Sequence, residues 1–324
     1  MKKVIFIIFF IAVAFIFQRC NTDVDLYAGY KDITVVYSLL DFSEDTIWIK
    51  VTRAFNGPGD ILEFAKNPDS NNYPFKLDIS LTGHIPGGDL PAITFDTLTI
   101  KDKRAGDSIF YYPDQLMYYS IAKLNKDASY RLNLSINGKE VESETPLVNS
   151  FSVTRPRNTI DFTRDGTIEW VSARNGKRYE VSYIFNYKEL LPGSQDTVNK
   201  QVNYYVGKKL SVSTDGGEDM SQIYSGDGFF DRLVSQLETI PNVQRWAGNI
   251  DIMVSGGSQI LHNYLQINSA GGSLLEEVPL YTNIQNGIGI FASRHTTFHS
   301  VRLSNLSQKK LVEDLNLGFK YPAK

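Results

Sequence analysis

The 324 residues predict a mainly β chain of two β-sandwich domains, the second carrying helical insertions. Three observations predict it. Short runs rich in β-branched and aromatic residues recur along the chain, with turn-forming residues between them. Asn-Gly pairs at 137–138 and 175–176 stand between such runs, the strongest short-range signal for a tight turn. The length beyond an N-terminal leader exceeds what one hydrophobic core comfortably supports, so two domains are expected.

The leader is read from the first twenty residues. Lys2 and Lys3 precede an apolar run, Val4 to Phe17, and the single cysteine, Cys20, follows shortly after. That run suits the apolar region of a secretory signal and falls short of the ~20 residues a helix needs to cross a bilayer. The order of charge, apolar stretch and cysteine is that of a bacterial lipoprotein signal over residues 1–19, with lipid carried on Cys20. Phe17-Gln18-Arg19 departs from the small residues usual before the cut, and an uncleaved anchor helix is the alternative. Either arrangement tethers the chain to a membrane. Residues 20–30 form a lipidated leash. Loss of residues 1–19 leaves 30 basic and 36 acidic residues, a net charge of −6. With no basic tract, no nucleic-acid partner is expected. With its only thiol lipidated, the remaining chain can form no disulfide.

The first domain is expected over residues 31–148. Ile33–Leu40 and Thr46–Phe55 read as strands joined by the turn-rich Asp41 to Asp45. In the second, Ile47, Ile49 and Val51 share one face while Trp48, Lys50 and Thr52 share the other. Further strands read at Phe75–Leu81, Ile93–Ile100, Ser108–Tyr112, Leu116–Ile121, Tyr130–Ile136 and Lys139–Thr145, with a short helix at Ile61–Lys66. Pro146 ends the last strand and marks the boundary.

The second domain, 149–324, is expected to be β-rich with helical insertions. A strand carrying Trp170 is followed by Asn175-Gly176 and a strand with Tyr179, Val181, Tyr183 and Phe185 on one face. This resembles the B and C strands of a fibronectin type III domain; a half-buried aromatic hairpin is the alternative. Two more strands (Thr197–Val206, Lys209–Thr214) precede a loop, Asp215 to Asp219. Apolar residues at 229, 230, 233, 234, 237 and 240 then have helical spacing, closed by Pro241. Strands at Asn249–Ser255, Ile288–Ser293 and Phe298–Leu303, a helix at Ser258–Ile267, and a closing helix at Leu306–Leu315 capped by Ser304 complete the reading.

Three segments carry a family resemblance: Lys50 to Gly57, Tyr130 to Leu134 before Thr145-Pro146, and Asn283-Ile284-Gln285-Asn286-Gly287-Ile288-Gly289-Ile290-Phe291. Their order resembles an uncharacterised family of Bacteroidota outer-membrane lipoproteins. The resemblance implies an immunoglobulin-like first domain and a second β-rich one. It also implies a place in the outer membrane and an accessory role beside a TonB-dependent β-barrel receptor in nutrient uptake. A structural or adhesive surface protein is the alternative. The glycines of the last segment read as serving tight packing before an edge strand.

Chemistry is sparse. No nucleophile elbow, phosphate loop, dinucleotide fingerprint or zinc-protease motif is present, so no catalytic residue, cofactor or metal site is expected. His295 and His299 would share a face on a strand, yet zinc wants three or four ligands. Asp215 to Asp219 with Asp227 lack the alternating order of a calcium loop and read as solvated acids. Glu276 and Glu277 alternate faces on a strand and cannot flank one bond. Tyr111-Tyr112, Tyr118-Tyr119 and Tyr204-Tyr205 each place at least one ring outward on a strand, where it could stack on a sugar or line a protein contact. Four Asp-Ser/Thr-aliphatic tripeptides make Thr46, Thr97, Ser108 and Thr197 candidate O-glycosylation sites, resembling those of exported Bacteroidota proteins. The same tripeptides suit the start of a strand.

Overall fold

A computed structural model describes residues 31–56, 66–67, 71–104, 114–269 and 281–321. The described residues are mainly β, at 53% strand against 12% helix. Cys20, Ser108, the Tyr111-Tyr112 pair and the Glu276-Glu277 pair lie outside the described residues, as do the expected strand at 108–112 and the expected helix at 61–66 save its last residue.

The first half runs β1 (Lys31–Leu40), β2 (Thr46–Asn56), β3 (Asp78–Ile85), β4 (Gly88–Asp89), β5 (Ile93–Thr94), β6 (Asp96–Ile100), β7 (Gln115–Ile121), β8 (Ser129–Ile136) and β9 (Lys139–Pro146). The second half runs β10 (Val153–Arg155), β11 (Thr159–Ile160), β12 (Gly166–Val171), β13 (Arg178–Leu190), β14 (Val198–Leu210) and β15 (Asp219–Tyr224). Helix α1 (Gly226–Gln236), β16 (Gln244–Gly257), α2 (Gln259–Ser269), β17 (Gly287–Leu303), α3 (Asn305–Glu313) and β18 (Phe319–Lys320) follow.

One ten-stranded sheet passes through both halves in the order β14-β13-β16-β17-β1-β2-β7-β6, with β11 beside β17 and β18 beside β16. Among the described residues two smaller sheets accompany it, β4-β3-β8-β9 with β5 and β10-β12-β15. The hinge of this plan is β17. Its first residues pair in parallel with β1, from Thr34 opposite Gly287 to Leu40 opposite Ser293. Its later ones pair antiparallel with β16, from Arg294 opposite Gly257 to Val301 opposite Ile250. The two strands expected at Ile288–Ser293 and Phe298–Leu303 are therefore one continuous strand at the centre of the sheet, not an edge.

Among the described residues two hydrophobic cores result. One gathers Val36, Ile49, Ile79, Leu132 and Val141 from the first half and also takes Ile284 and Phe291 from the second. The other lies wholly beyond residue 148 and centres on Trp170, Tyr179, Tyr183, Phe185 and Phe229. Trp170 and Tyr179 meet at 5.8 Å across this core, each from a different sheet. Their strands do not pair with each other, so the aromatic-hairpin alternative is corrected: Asn175 (φ +66) turns the chain from one sheet to the facing one.

Local chemistry explains the elements. Asn137 and Gly138 both take positive φ, as the primed two-residue turn between β8 and β9 requires. Helix α1 starts earlier than its apolar spacing suggests, because the Ser225 hydroxyl accepts from the Gly228 amide and caps it. It stops at Leu237, and the Glu238 carbonyl accepts from Arg245 instead. At α3, Ser304 accepts from the Ser307 amide as expected. Asp161 braces this helix end, its carboxylate accepting from the Ser304 and Ser307 hydroxyls at 3.1 and 3.0 Å.

Candidate binding surface

The outward side of the large sheet holds the most distinctive surface. Trp48 on β2 stands opposite Tyr119 on β7, their rings 5.6 Å apart at 33°. Strand alternation dictates the placement: Ile47 and Ile49 are buried, while Trp48 is 37% exposed. Leu39, Leu98 and Ile121 are exposed around the pair, Ile121 at 78%. At one flank Tyr37 meets Tyr264 of α2 edge-on. Lys50 shares the Trp48 face, and burial together with the nearby Lys103 charge pushes its ammonium below the usual lysine range.

A cleft of about 570 Å³ adjoins this face, lined among others by Lys76, Asp78, Thr94, Asp96, Tyr119 and Ser120. Lys76 and Asp96 form a 2.7 Å ion pair at its rim, both more than half exposed. Sequence reasoning set Trp48 on the face opposite Ile47 and Ile49 and turned a tyrosine of the 118–119 pair outward, but missed the cleft, which joins three segments separated in the chain. The partner tyrosine, Tyr118, turns inward; its hydroxyl accepts from the Leu77 amide, and burial raises its pKa. In the other tyrosine pair, Tyr204 stacks on Tyr183 at 4.8 Å and Tyr205 is 57% exposed.

The remaining sequence candidates separate in space. Thr46 opens β2, half-buried, directly opposite Ile121. Thr97 is exposed on β6, and Thr197 is exposed just before β14. Two of the preceding aspartates are in ion pairs, Asp45 with Lys123 and Asp96 with Lys76. His295 and His299 are drawn apart in role. His295 is buried, 3.1 Å from Asp41 and stacked on Phe42 at 4.5 Å, whereas His299 donates to the Arg157 carbonyl. Burial works against the Asp41 charge, but hydrogen bonds from His295 and Ser43 outweigh it and hold the carboxyl below its usual range. Among the described residues no group of three or more His, Cys, Asp or Glu could hold a metal. The Glu218 carboxylate accepts from the Val212 amide, and Asp227 pairs with Lys310.

The segment from Asn283 to Phe291 is built into the fold. The Asn283 side chain donates to the Phe291 carbonyl at 2.7 Å and accepts from its amide at 3.0 Å. Gln285 bridges to Glu142 of β9, after which the chain enters β17 beside β1. The segment thus closes both sheets of the first half. Residues 21–298 match one family described only as a domain of unknown function.

The chain belongs to the DUF4249 family.

No curated protein matches this DUF4249 chain. Among solved structures, one match is the C-terminal globular domain of an oligosaccharyltransferase from Pyrococcus abyssi. It is 10% identical, with a TM-score of 0.21 over 84% of this chain and 50% of that one. A likeness that slight carries no argument about this DUF4249 chain. The DUF4249 match takes in both halves of the fold, β1 through most of β17.

Proposed function

We propose that this protein is a lipid-anchored, non-catalytic binding module of the Bacteroidota outer membrane, accessory to a TonB-dependent uptake receptor. The observation that carries the reading is the aromatic and apolar sheet face where exposed Leu39, Trp48 and Ile121 stand beside half-buried Tyr119. Open patches of this kind mark interaction surfaces. Anchoring is supplied by lipid on Cys20, the residue that the cleaved leader over 1–19 leaves first. The framework is a pair of immunoglobulin- or fibronectin-like sandwiches. That view is supported in the second half by three strands, β10-β12-β15, facing β14-β13-β16-β17 across the Trp170 core. O-glycosylation at Thr97 and Thr197 is part of the proposal, supported by their exposure; Thr46, half-buried, and Ser108 are the remaining candidates.

The test is a pull-down from membranes in mild detergent through a tag placed after Lys324. A TonB-dependent β-barrel is expected in stoichiometric amount. A chain that emerges alone overturns the accessory role and moves the reading to a structural or adhesive surface protein.

A further inference from the structure

We infer that the Trp48–Tyr119 face and its adjoining cleft form a carbohydrate-binding site. This rests on the reading of that face as the binding surface and names its ligand class. A pyranose ring is two-natured, with C–H groups on its faces and hydroxyls around its edge. A site for it needs an aromatic plane and, beside that plane, hydrogen-bonding groups that stay wet without ligand. Both are present. The Trp48 and Tyr119 rings, 5.6 Å apart and inclined at 33°, stand together on paired strands, Trp48 exposed and Tyr119 half-buried, and supply the aromatic surface. Tyr119 also lines the cleft, where Lys76, Asp78, Thr94, Asp96 and Ser120 supply donors and acceptors of both charges.

The lining also holds Leu77, Ile79, Phe95 and Ile121, and its charged members decide between ligand classes. The cleft volume, about 570 Å³, falls within the range of small-ligand sites. A lipophilic occupant would strip water from Lys76 and Asp96 and return no hydrogen bond, a costly exchange. A protein partner packed flat on this surface would bury the same ion pair, whose side chains are 52% and 76% exposed. Sugar hydroxyls replace each lost water with a hydrogen bond, and the ring faces cover the two aromatics.

The test is calorimetric titration of the full chain, held in a detergent without a sugar headgroup. The probes are hexasaccharides of α-1,4-glucose, β-1,4-glucose, β-1,4-xylose, β-1,4-mannose and N-acetylglucosamine. At least one is expected to bind saturably. Trp48→Ala and Tyr119→Ala should each weaken it at least about tenfold, with Trp48→Phe within a few-fold of wild type. Phe298→Ala, an exposed aromatic on β17, should change nothing. Unshifted thermal midpoints would confirm that the variants fold. Failure of all five saccharides, or binding that survives both alanine variants, overturns the inference. A barrel captured in the pull-down without saccharide binding removes the ligand class and leaves the accessory role; a saccharide bound without a barrel does the reverse.

Discussion

Gly289 sits where two backbones come closest. Its φ is +110, and a Cβ there would collide with the Val36 carbonyl of the paired strand. Only glycine satisfies both constraints. Two residues on, Phe291 is fully buried in the first core, held on its backbone by the Asn283 amide. Gly289→Ala should therefore cost about 2–4 kcal/mol of stability. Asn283→Ala should cost about 1–3 kcal/mol, because it orphans two buried backbone groups at once. Urea denaturation measures both, and an unmoved midpoint for Gly289→Ala would mean that β17 does not pack against β1 as described. Sequence reading recognised the glycines as packing devices but placed them beside an edge strand. The pairing that makes them necessary lies some 250 positions away in the chain, where no local pattern can report it.

Among elements, the seam between β13, β16 and the C-terminal segment depends on charge. Arg245 and Glu189 are 1% and 2% exposed. The Arg245 guanidinium donates to Glu189 at 2.8 Å, to the Leu317 carbonyl at 2.6 Å and to the Glu238 carbonyl at 3.0 Å. Lys200 from β14 adds a 2.5 Å contact to the second Glu189 oxygen. Burial raises the Glu189 pKa, but the hydrogen bonds and charges of Lys200 and Arg245 outweigh it and leave the carboxyl below its ordinary value of 4.5. A depressed carboxylate binds fewer protons folded than unfolded. Its stabilisation is therefore present above pH 4.5 and lost as pH falls through the depressed value. Glu189→Gln should lose about 3 kcal/mol at neutral pH, since Arg245 stays buried without its counter-charge. It should also show a shallower acid limb in stability against pH than wild type. An unchanged acid limb would place the loss elsewhere. This clamp was not legible in the sequence, where Glu189 and Arg245 look like ordinary strand polar residues. Helix α3 was legible to within a turn, because Ser304 and the apolar spacing after it are local signals. The separation of Trp48 from the Ile47 and Ile49 face was legible for the same reason, as alternation alone sets it.

At the scale of the whole molecule, two cores share one sheet, and β17 supplies residues to both, Phe291 to the first and Val301 and Leu303 to the second. Around the crossing point, Ser293 donates to the Pro146 carbonyl and accepts from the Val148 amide. His295 packs between Phe42 of the first half and Phe151 of the second. Residues 31–148 alone would lack Ile284 and Phe291 from their core and leave β1 with an unpaired edge, so that fragment should aggregate instead of folding. Full-length protein should unfold in a single calorimetric transition. Phe291→Ala removes a fully buried ring and should cost about 3–5 kcal/mol. The informative part is where that loss appears. If β17 couples the cores, the whole transition moves down together, and signals from Trp48 in the first half and Trp170 in the second shift by the same amount. Two transitions, with only the Trp48 signal displaced, would show that β17 passes between two independently folding halves without joining them.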